Sequence, residues 1–402
     1  MDVLDELALI LRPAGGGVHT VSTGRAAQLA LQRRIYGVAV TGVAASNAVV
    51  TDAAAAVTDR NASEAIAIDA RFRAALASVA SARVAILAIP SDTGAGLVRG
   101  AAFGPSALRE AVLARMPDFP ARAARAGVVD VGDVLVVPQL LEDDMCSDGQ
   151  LAATRAAIYP GIPPAIAATL PVAPLSIAHR AVELLLSLNP ALKLFALGGD
   201  HSVAWPVVAG LAAARRAAGA PPFAIVHPDA HTDLLPERQG VKHCFATWAY
   251  HANDLIGRGG RLVQVGVRAS RHPREYWEGT LGVRQFWAAE VAARGEAATI
   301  DDILAHLASI GVRDVYLSND IDGTDAGAAP ATGAPEPNGL SVGFVRALIQ
   351  RLGNRTSLIG ADLVEVAPSV GGSEGARATL EVGARYVLDS LAALSGDPAL
   401  AS

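Results

Sequence analysis

The sequence predicts an α/β protein: a parallel sheet with helices on both faces, preceded by an alanine-rich N-terminal segment. Short apolar runs bounded by Gly, Pro or Asp recur between residues 84 and 366, the pattern of strands buried on both faces. Helix-length segments separate them, and strand–helix alternation specifies a parallel sheet. With 51 % apolar residues over 402 positions the chain can fill a core of that size and is not mainly disordered.

Residues 1–82 have a different texture. They are Ala-rich, broken at Gly15-Gly16-Gly17, and include the weakly patterned stretch AVTGVAASNAVVTDAAAAVTDRNASEAIAI. Alanine favours helix, so 64–79 is expected to be helical, and the segment is read as an extension serving packing or oligomer contact. From Arg83 the strands are VAILAIP (84–90), GVVDVG (127–132), LKLFALGGD (192–200), FAIVHPD (223–229), LVQVGVR (262–268), DVYLSND (314–320) and SLIGADLVEV (357–366). The helices between them include 106–116, 176–188, 203–217 and 341–352. No repeat or linker interrupts 83–392, which is taken as one domain followed by a tail, 393–402.

Composition removes several function classes. The formal charge, 33 − 39 = −6, lacks the basic footprint of a nucleic-acid binder. Two cysteines, Cys146 and Cys244, make neither a disulfide scaffold nor a four-thiolate zinc site. The acidic start MDVLDELALILRP is unlike a signal peptide, and no apolar run reaches a membrane span. A soluble, cytoplasmic protein is expected.

Ligands of open α/β sheets bind beyond the carboxyl ends of the strands, and the chemistry-bearing residues cluster there. Gly198-Gly199-Asp200-His201-Ser202, His227-Pro228-Asp229-Ala230-His231-Thr232-Asp233, Asn319-Asp320-Ile321-Asp322 and Glu365 each follow an apolar run. An extended backbone would project Asp229, His231 and Asp233 to one side, and likewise Asp320 and Asp322. One such residue alone is usually a cap or a satisfied core group. Two histidines and four carboxylates from three strands are too much negative charge to bury without a cation. Mixed oxygen and imidazole donors suit Mn²⁺, Zn²⁺, Ni²⁺ or Fe²⁺, and six ligands suit two ions sharing carboxylates.

These motifs resemble the ureohydrolases, the family of arginase and agmatinase. The resemblance covers about 83–392 and rests on GGDHS (198–202), VHPDAHTD (226–233), SNDID (318–322), PATGAPEPNGL (330–340) and ADLVEVAPS (361–369), with IPSDTGAGLVRGAAFGPSALR (89–109) upstream. The agmatinase branch is the most similar. The resemblance implies an arginase-like three-layer α/β/α fold and a pair of divalent ions, manganese first and nickel as the alternative. One ion would take His201, Asp229, Asp233 and Asp320; the other Asp229, His231, Asp320 and Asp322. His243 matches the proton-shuttling histidine and Glu365 the carboxylate that grips the guanidinium; Thr332 falls in the substrate-binding motif. Paired cations acidify a shared water toward about pKa 7, supplying a nucleophile for the guanidinium carbon. Asp233 is the natural proton relay, and urea and an amine are the expected products. The family also implies a homo-oligomer, trimer or hexamer.

The sequence departs from the family at Pro228, Cys244, Asn319 and Thr324-Asp325-Ala326. Cys244 stands where Gly is usual, which restricts the backbone angles of its loop. In HCFATWAYHAND (243–254), Trp248 and Tyr250 either narrow the pocket toward free guanidine or a short guanidino acid such as guanidinobutyrate, or pack into the core. His227 is read as pointing away from the ligand run and supporting it from behind; His251 and His272 are read as surface or loop residues.

Two motifs are decoys. Gly371-Gly372-Ser373-Glu374-Gly375 spells a nucleophile elbow, but no histidine follows His306. Gly94, Gly96 and Gly100 miss the dinucleotide spacing by one residue and read as a substrate-entrance loop, with Arg99 at the surface or entrance. A non-catalytic partner subunit would be expected to lose ligands, and all six are kept. A metal hydrolase of acetylated amines would not need Glu365 in its VEVAPS setting.

Overall fold

A computed structural model describes residues 1–19, 25–38 and 53–401, with side chains described outside 53–62. Part of the weakly patterned stretch, 39–52, lies outside the described residues. The strands are β1 (Leu11–Arg12), β2 (Val84–Ile89), β3 (Val128–Val134), β4 (Lys193–Gly198), β5 (Ala224–Pro228), β6 (Leu262–Val265), β7 (Arg284–Phe286), β8 (Asp314–Asp320) and β9 (Ser357–Val364). They form one sheet in the order β1-β3-β2-β4-β9-β8-β5-β6-β7. Every pairing is parallel except β1 with β3.

The layers follow from strand alternation. Along β2, Ala85, Leu87 and Ile89 enter one core while Val84, Ile86 and Ala88 enter the other. Side chains of a strand alternate between faces, so an unbroken apolar run is buried on both sides, and helices cover both faces of the sheet. The result is a three-layer α/β/α fold. The seven expected strands are all present; β1 and β7, at two and three residues, were too short to register as apolar runs.

The N-terminal segment is woven into this sheet. Leu11 pairs with Val134 on the sheet edge, and Leu7, Ile10, Phe72 and Leu76 belong to the first core. The expected 64–79 helix is longer, Ala53–Ser78, followed by a tight turn. At the other end, helix Gly372–Ser395 runs past the expected boundary and Leu400 is fully buried in the second core. The 393–402 stretch is therefore packed through residue 400.

Below this edge lies a buried ion cluster. Arg109, on helix Gly104–Arg115, bonds Asp130 through Nε and Nη2 at 2.8 Å each and also reaches Asp133, both on β3. Asp133 in turn accepts the Gly17 N–H at 3.1 Å. The cluster ties helix, sheet and N-terminal segment together, and deleting one buried partner strands the others' charge. Arg109→Ala should cost about 3–5 kcal/mol in denaturant unfolding, and a loss below about 1 kcal/mol would show that solvent reaches the two aspartates.

Candidate active site

The sheet order sets β4, β9, β8 and β5 side by side, and every expected ligand follows one of these strands. His201 opens a tight turn after β4, Glu365 follows β9, Asp320 ends β8, and Asp229, His231 and Asp233 lie on the loop after β5.

Asp229 sits between the two histidines. Its Oδ2 is 3.3 Å from His201 Nδ1 and its Oδ1 is 3.5 Å from His231 Nδ1. His201 Nδ1 also lies 2.9 Å from Asp320 Oδ2 and 3.4 Å from Asp233 Oδ2, while His231 Nδ1 lies 3.1 Å from Asp322 Oδ2. One carboxylate thus faces two donor groups, and all six residues converge.

The donors fit cations. His201 Nδ1 is buried, makes no hydrogen bond, and is ringed by carboxylate oxygens. Burial, then the neighbouring carboxylates, push Asp233, Asp320 and Asp322 above the ordinary carboxylate range, Asp233 and Asp320 by a wide margin. Such a cluster resists its own charge until a positive ion enters.

The groups behind the ligands fix their orientation. His201 Nε2 is 3.0 Å from Ser318 Oγ, and Ser318 Oγ donates to Asp362 at 2.9 Å. With its proton committed to Asp362, Ser318 accepts from His201 Nε2–H, which leaves the Nδ1 lone pair free for a metal. Asp362, pushed up to about 6 by burial, also accepts from Tyr316 OH at 2.8 Å. Trp248 Nε1 donates to Asp233 Oδ2 at 3.1 Å while its ring stacks on His201 at 4.5 Å.

His227 shares the side of Asp229, contrary to the expected opposite face. Its Nε2 lies 2.7 Å from Asp229 Oδ2, because residues two apart on a strand have the same parity. Gln264 donates to its Nδ1 at 3.1 Å, so Nε2 carries the proton and donates to Asp229. Gln285 and Trp287 extend the chain behind Gln264. His227 is a supporting donor although it clusters with the ligands.

The ligand loop is not an extended strand either. Pro228 ends β5, and the Asp229 N–H still donates to the Val265 carbonyl of β6 at 3.0 Å before the chain leaves the sheet. Asp233 then takes a left-handed φ of 50°. Asp320 and Asp322 are separated by a tight turn in which Asp320 Oδ1 accepts the Asp322 N–H at 2.8 Å. Convergence comes from turns rather than from alternation.

Glu365 also has a left-handed φ, 61°, and its Oε1 accepts the His201 N–H at 2.8 Å. Non-glycine residues persist there at a cost of about 1–3 kcal/mol when the surroundings over-determine them. Burial, then Asp200, raise its carboxyl well above the usual value. Gly333 borders it, where a Cβ would come 3.6 Å from Glu365 Oε2 and 3.1 Å from the Val98 carbonyl oxygen. Thr332, next to Gly333, is fully buried with an unpartnered hydroxyl. His243 is buried, stacked on Trp205 at 4.5 Å, with Nδ1 2.7 Å from Glu142 Oε2 and no hydrogen bond at Nε2.

Of the remaining expectations, some hold and some do not. Trp248 is wholly buried behind the ligands and Tyr250 packs edge-on against His251, so Trp248 does not narrow a pocket. His251 lies on helix Trp248–Leu255, half-buried, its ring 4.9 Å from His243. Cys244 does not have a positive φ, so its loop needs no glycine there. Gly94 must be glycine, since a Cβ would meet Ser202 Oγ at 2.5 Å. Arg99 is exposed and donates to the Thr93 carbonyl. Asn319 is buried with neither amide atom bonded, on the face of Val315 and Leu317, where apolar residues pack.

Glu142 and Gln285 lie outside every quoted motif, and Gln264 and Asp362, inside LVQVGVR and ADLVEVAPS, have partners too remote in the chain for their roles to be read there. The sequence model of the arginase family matches residues 82–392. The chain belongs to the arginase family. It is 32 % identical over 295 residues to a proclavaminate amidinohydrolase of Streptomyces clavuligerus, covering 71 % of this chain and 80 % of that one. It is 37 % identical over 193 residues to an N(1)-aminopropylagmatine ureohydrolase of Thermus thermophilus, covering 48 % of this chain; the match spans only 61 % of that relative's length. Among solved structures, a hypothetical agmatinase from Burkholderia thailandensis has a TM-score of 0.58 at 27 % identity, over 80 % of this chain and 88 % of that one.

Trp248→Phe keeps an aromatic side chain, removes the Nε1–H donor to Asp233 and leaves a cavity at a wholly buried position. It should weaken metal binding by about 10–100-fold in titration calorimetry and cost about 1–3 kcal/mol in denaturant unfolding; equal affinity would mean that the donor is dispensable. Asn319→Leu should stabilise the fold by about 1–3 kcal/mol in denaturant unfolding, and a destabilised variant would point to a partner for the amide.

Proposed function

We propose that this arginase-family chain hydrolyses a guanidino C–N bond of a small guanidino compound, giving urea and an amine, in the manner named for its agmatinase-type relatives. The observation that carries the reading is the complete six-residue donor set around Asp229 with Glu365 alongside. His201, Asp229, Asp233 and Asp320 would hold one divalent ion and His231, Asp229, Asp320 and Asp322 the other, with Mn²⁺ the first choice and Ni²⁺ the alternative. The ions supply Lewis-acid polarisation and acidify water toward about pKa 7.

The chain's own residues supply the rest. Glu365 presents a carboxylate whose plane matches a guanidinium, and Thr332 carries an unpartnered buried hydroxyl next to Gly333, which borders Glu365. As water oxygen bonds to the guanidinium carbon and the C–N bond to the amine breaks, the amine nitrogen must gain a proton. Asp233 is the relay and His243 exchanges protons with solvent through Nε2. The complete ligand set argues against a non-catalytic subunit. With Trp248 behind the ligands, the ring-narrowed pocket for free guanidine or a short guanidino acid loses its support, and an agmatine-like substrate is preferred. A cytoplasmic homo-oligomer completes the proposal, by resemblance to the family. No helix of the described residues is long and apolar enough to cross a membrane.

Urea release is the direct test. The full chain, loaded separately with Mn²⁺ and Ni²⁺, should release urea from agmatine well above arginine, 4-guanidinobutyrate, 3-guanidinopropionate and guanidine. Asp229→Asn should abolish that release, and Glu365→Gln should cut kcat/KM by at least about 100-fold. Two bound metals per chain with no urea from any of these compounds would overturn the substrate class.

A further inference from the structure

We infer that Glu142 is a positioning residue that selects the tautomer of His243 and aims its free nitrogen; the inference rests on the shuttle reading of His243 above. Glu142 lies outside every motif, on the segment between β3 and helix Asp148–Ile158. Its Oε2 is 2.7 Å from His243 Nδ1. An ionised carboxylate only accepts hydrogen bonds, so Nδ1 carries the proton and Nε2 is left with its lone pair. Nε2 is buried and makes no hydrogen bond.

The ring has little freedom to escape this arrangement. Trp205 stacks on one face at 22° between planes, and His251 meets it edge-on at 4.9 Å. Glu142 is itself anchored by its backbone, whose carbonyl accepts the Met145 N–H at 3.1 Å. Carboxylate, imidazole and a free Nε2 form the arrangement in which a third group orients a base. In the proposed cycle Asp233 relays the water proton to the departing amine nitrogen, and His243 Nε2 takes up a proton and gives it back, the ring returning to neutral. The Nδ1 proton stays on the Glu142 hydrogen bond throughout. Without Glu142 the neutral ring can place its proton on Nε2, and that population cannot accept one there.

Two measurements test this on the full chain. First, ¹⁵N NMR of histidine-labelled, metal-free protein, with His243→Asn for assignment, should show His243 protonated at Nδ1. In Glu142→Ala the signal should move toward a mixture of tautomers. A wild-type His243 protonated at Nε2 would overturn the inference, whatever the chain's substrate proves to be. Second, in the Mn²⁺-loaded enzyme, Glu142→Ala should lower kcat by about 10–100-fold with KM and metal content nearly unchanged. Glu142→Gln, whose carbonyl oxygen still accepts from Nδ1, should recover most of that loss. An undiminished kcat in Glu142→Ala, or a Gln variant as impaired as the Ala variant, would overturn the inference. Absence of urea release by the wild-type chain would instead overturn the proposed function, leaving the NMR result to decide the tautomer.

Discussion

The constraint on which the site depends is the burial of like charge. Asp229, Asp233, Asp320, Asp322 and Glu365 are all buried at one end of the sheet. Carboxylates that close repel one another and lose hydration. Each is therefore met by a donor with few alternatives: His227 and the His231 N–H for Asp229, Trp248 for Asp233, the Asp322 N–H for Asp320, the Ala230 N–H for Asp322 and the His201 N–H for Glu365. The donors orient oxygen lone pairs inward but leave the negative charge uncompensated. Divalent cations would complete that electrostatic arrangement.

The strand order makes such crowding feasible. Four neighbouring strands, about 4.8 Å apart, deliver their ends to one place, and tight turns carry the ligands inward from there. Asp233 and Glu365 hold left-handed backbones, and Gly94 lets a loop pass against Ser202. Rigid packing on both faces holds these conformations in place. The edge of the sheet is bound as firmly, through β1 and the Arg109 cluster, which makes the N-terminal segment part of the fold that supports the site.

Much of this was legible in the chain. Seven apolar runs named seven strands because burial on both faces leaves a continuous signal. DAHTD, DID and GGDHS pointed to residues that the fold brings together, because so many carboxylates at neighbouring strand ends need compensating positive charge to be buried. The expectations failed where a loop was treated as a strand. His227 and Asp229, two residues apart, share a face, and β5 ends at Pro228, so Asp229, His231 and Asp233 lie on a turning loop with Asp233 left-handed. Trp248 was ambiguous since an indole buried behind a ligand and one lining a pocket have the same neighbours in sequence.

What the sequence determined by itself was therefore the local chemistry and the layer order: residue types, their spacing, and the period that buries each strand. What only the tertiary structure decided was which remote groups meet that chemistry. Glu142 reaches His243 across 101 positions, Asp362 reaches Ser318 across 44, and Gln264 reaches His227 across 37. Periodicity is a property of adjacent residues, whereas a hydrogen bond between distant segments depends on the path of the whole chain. No local pattern records that path.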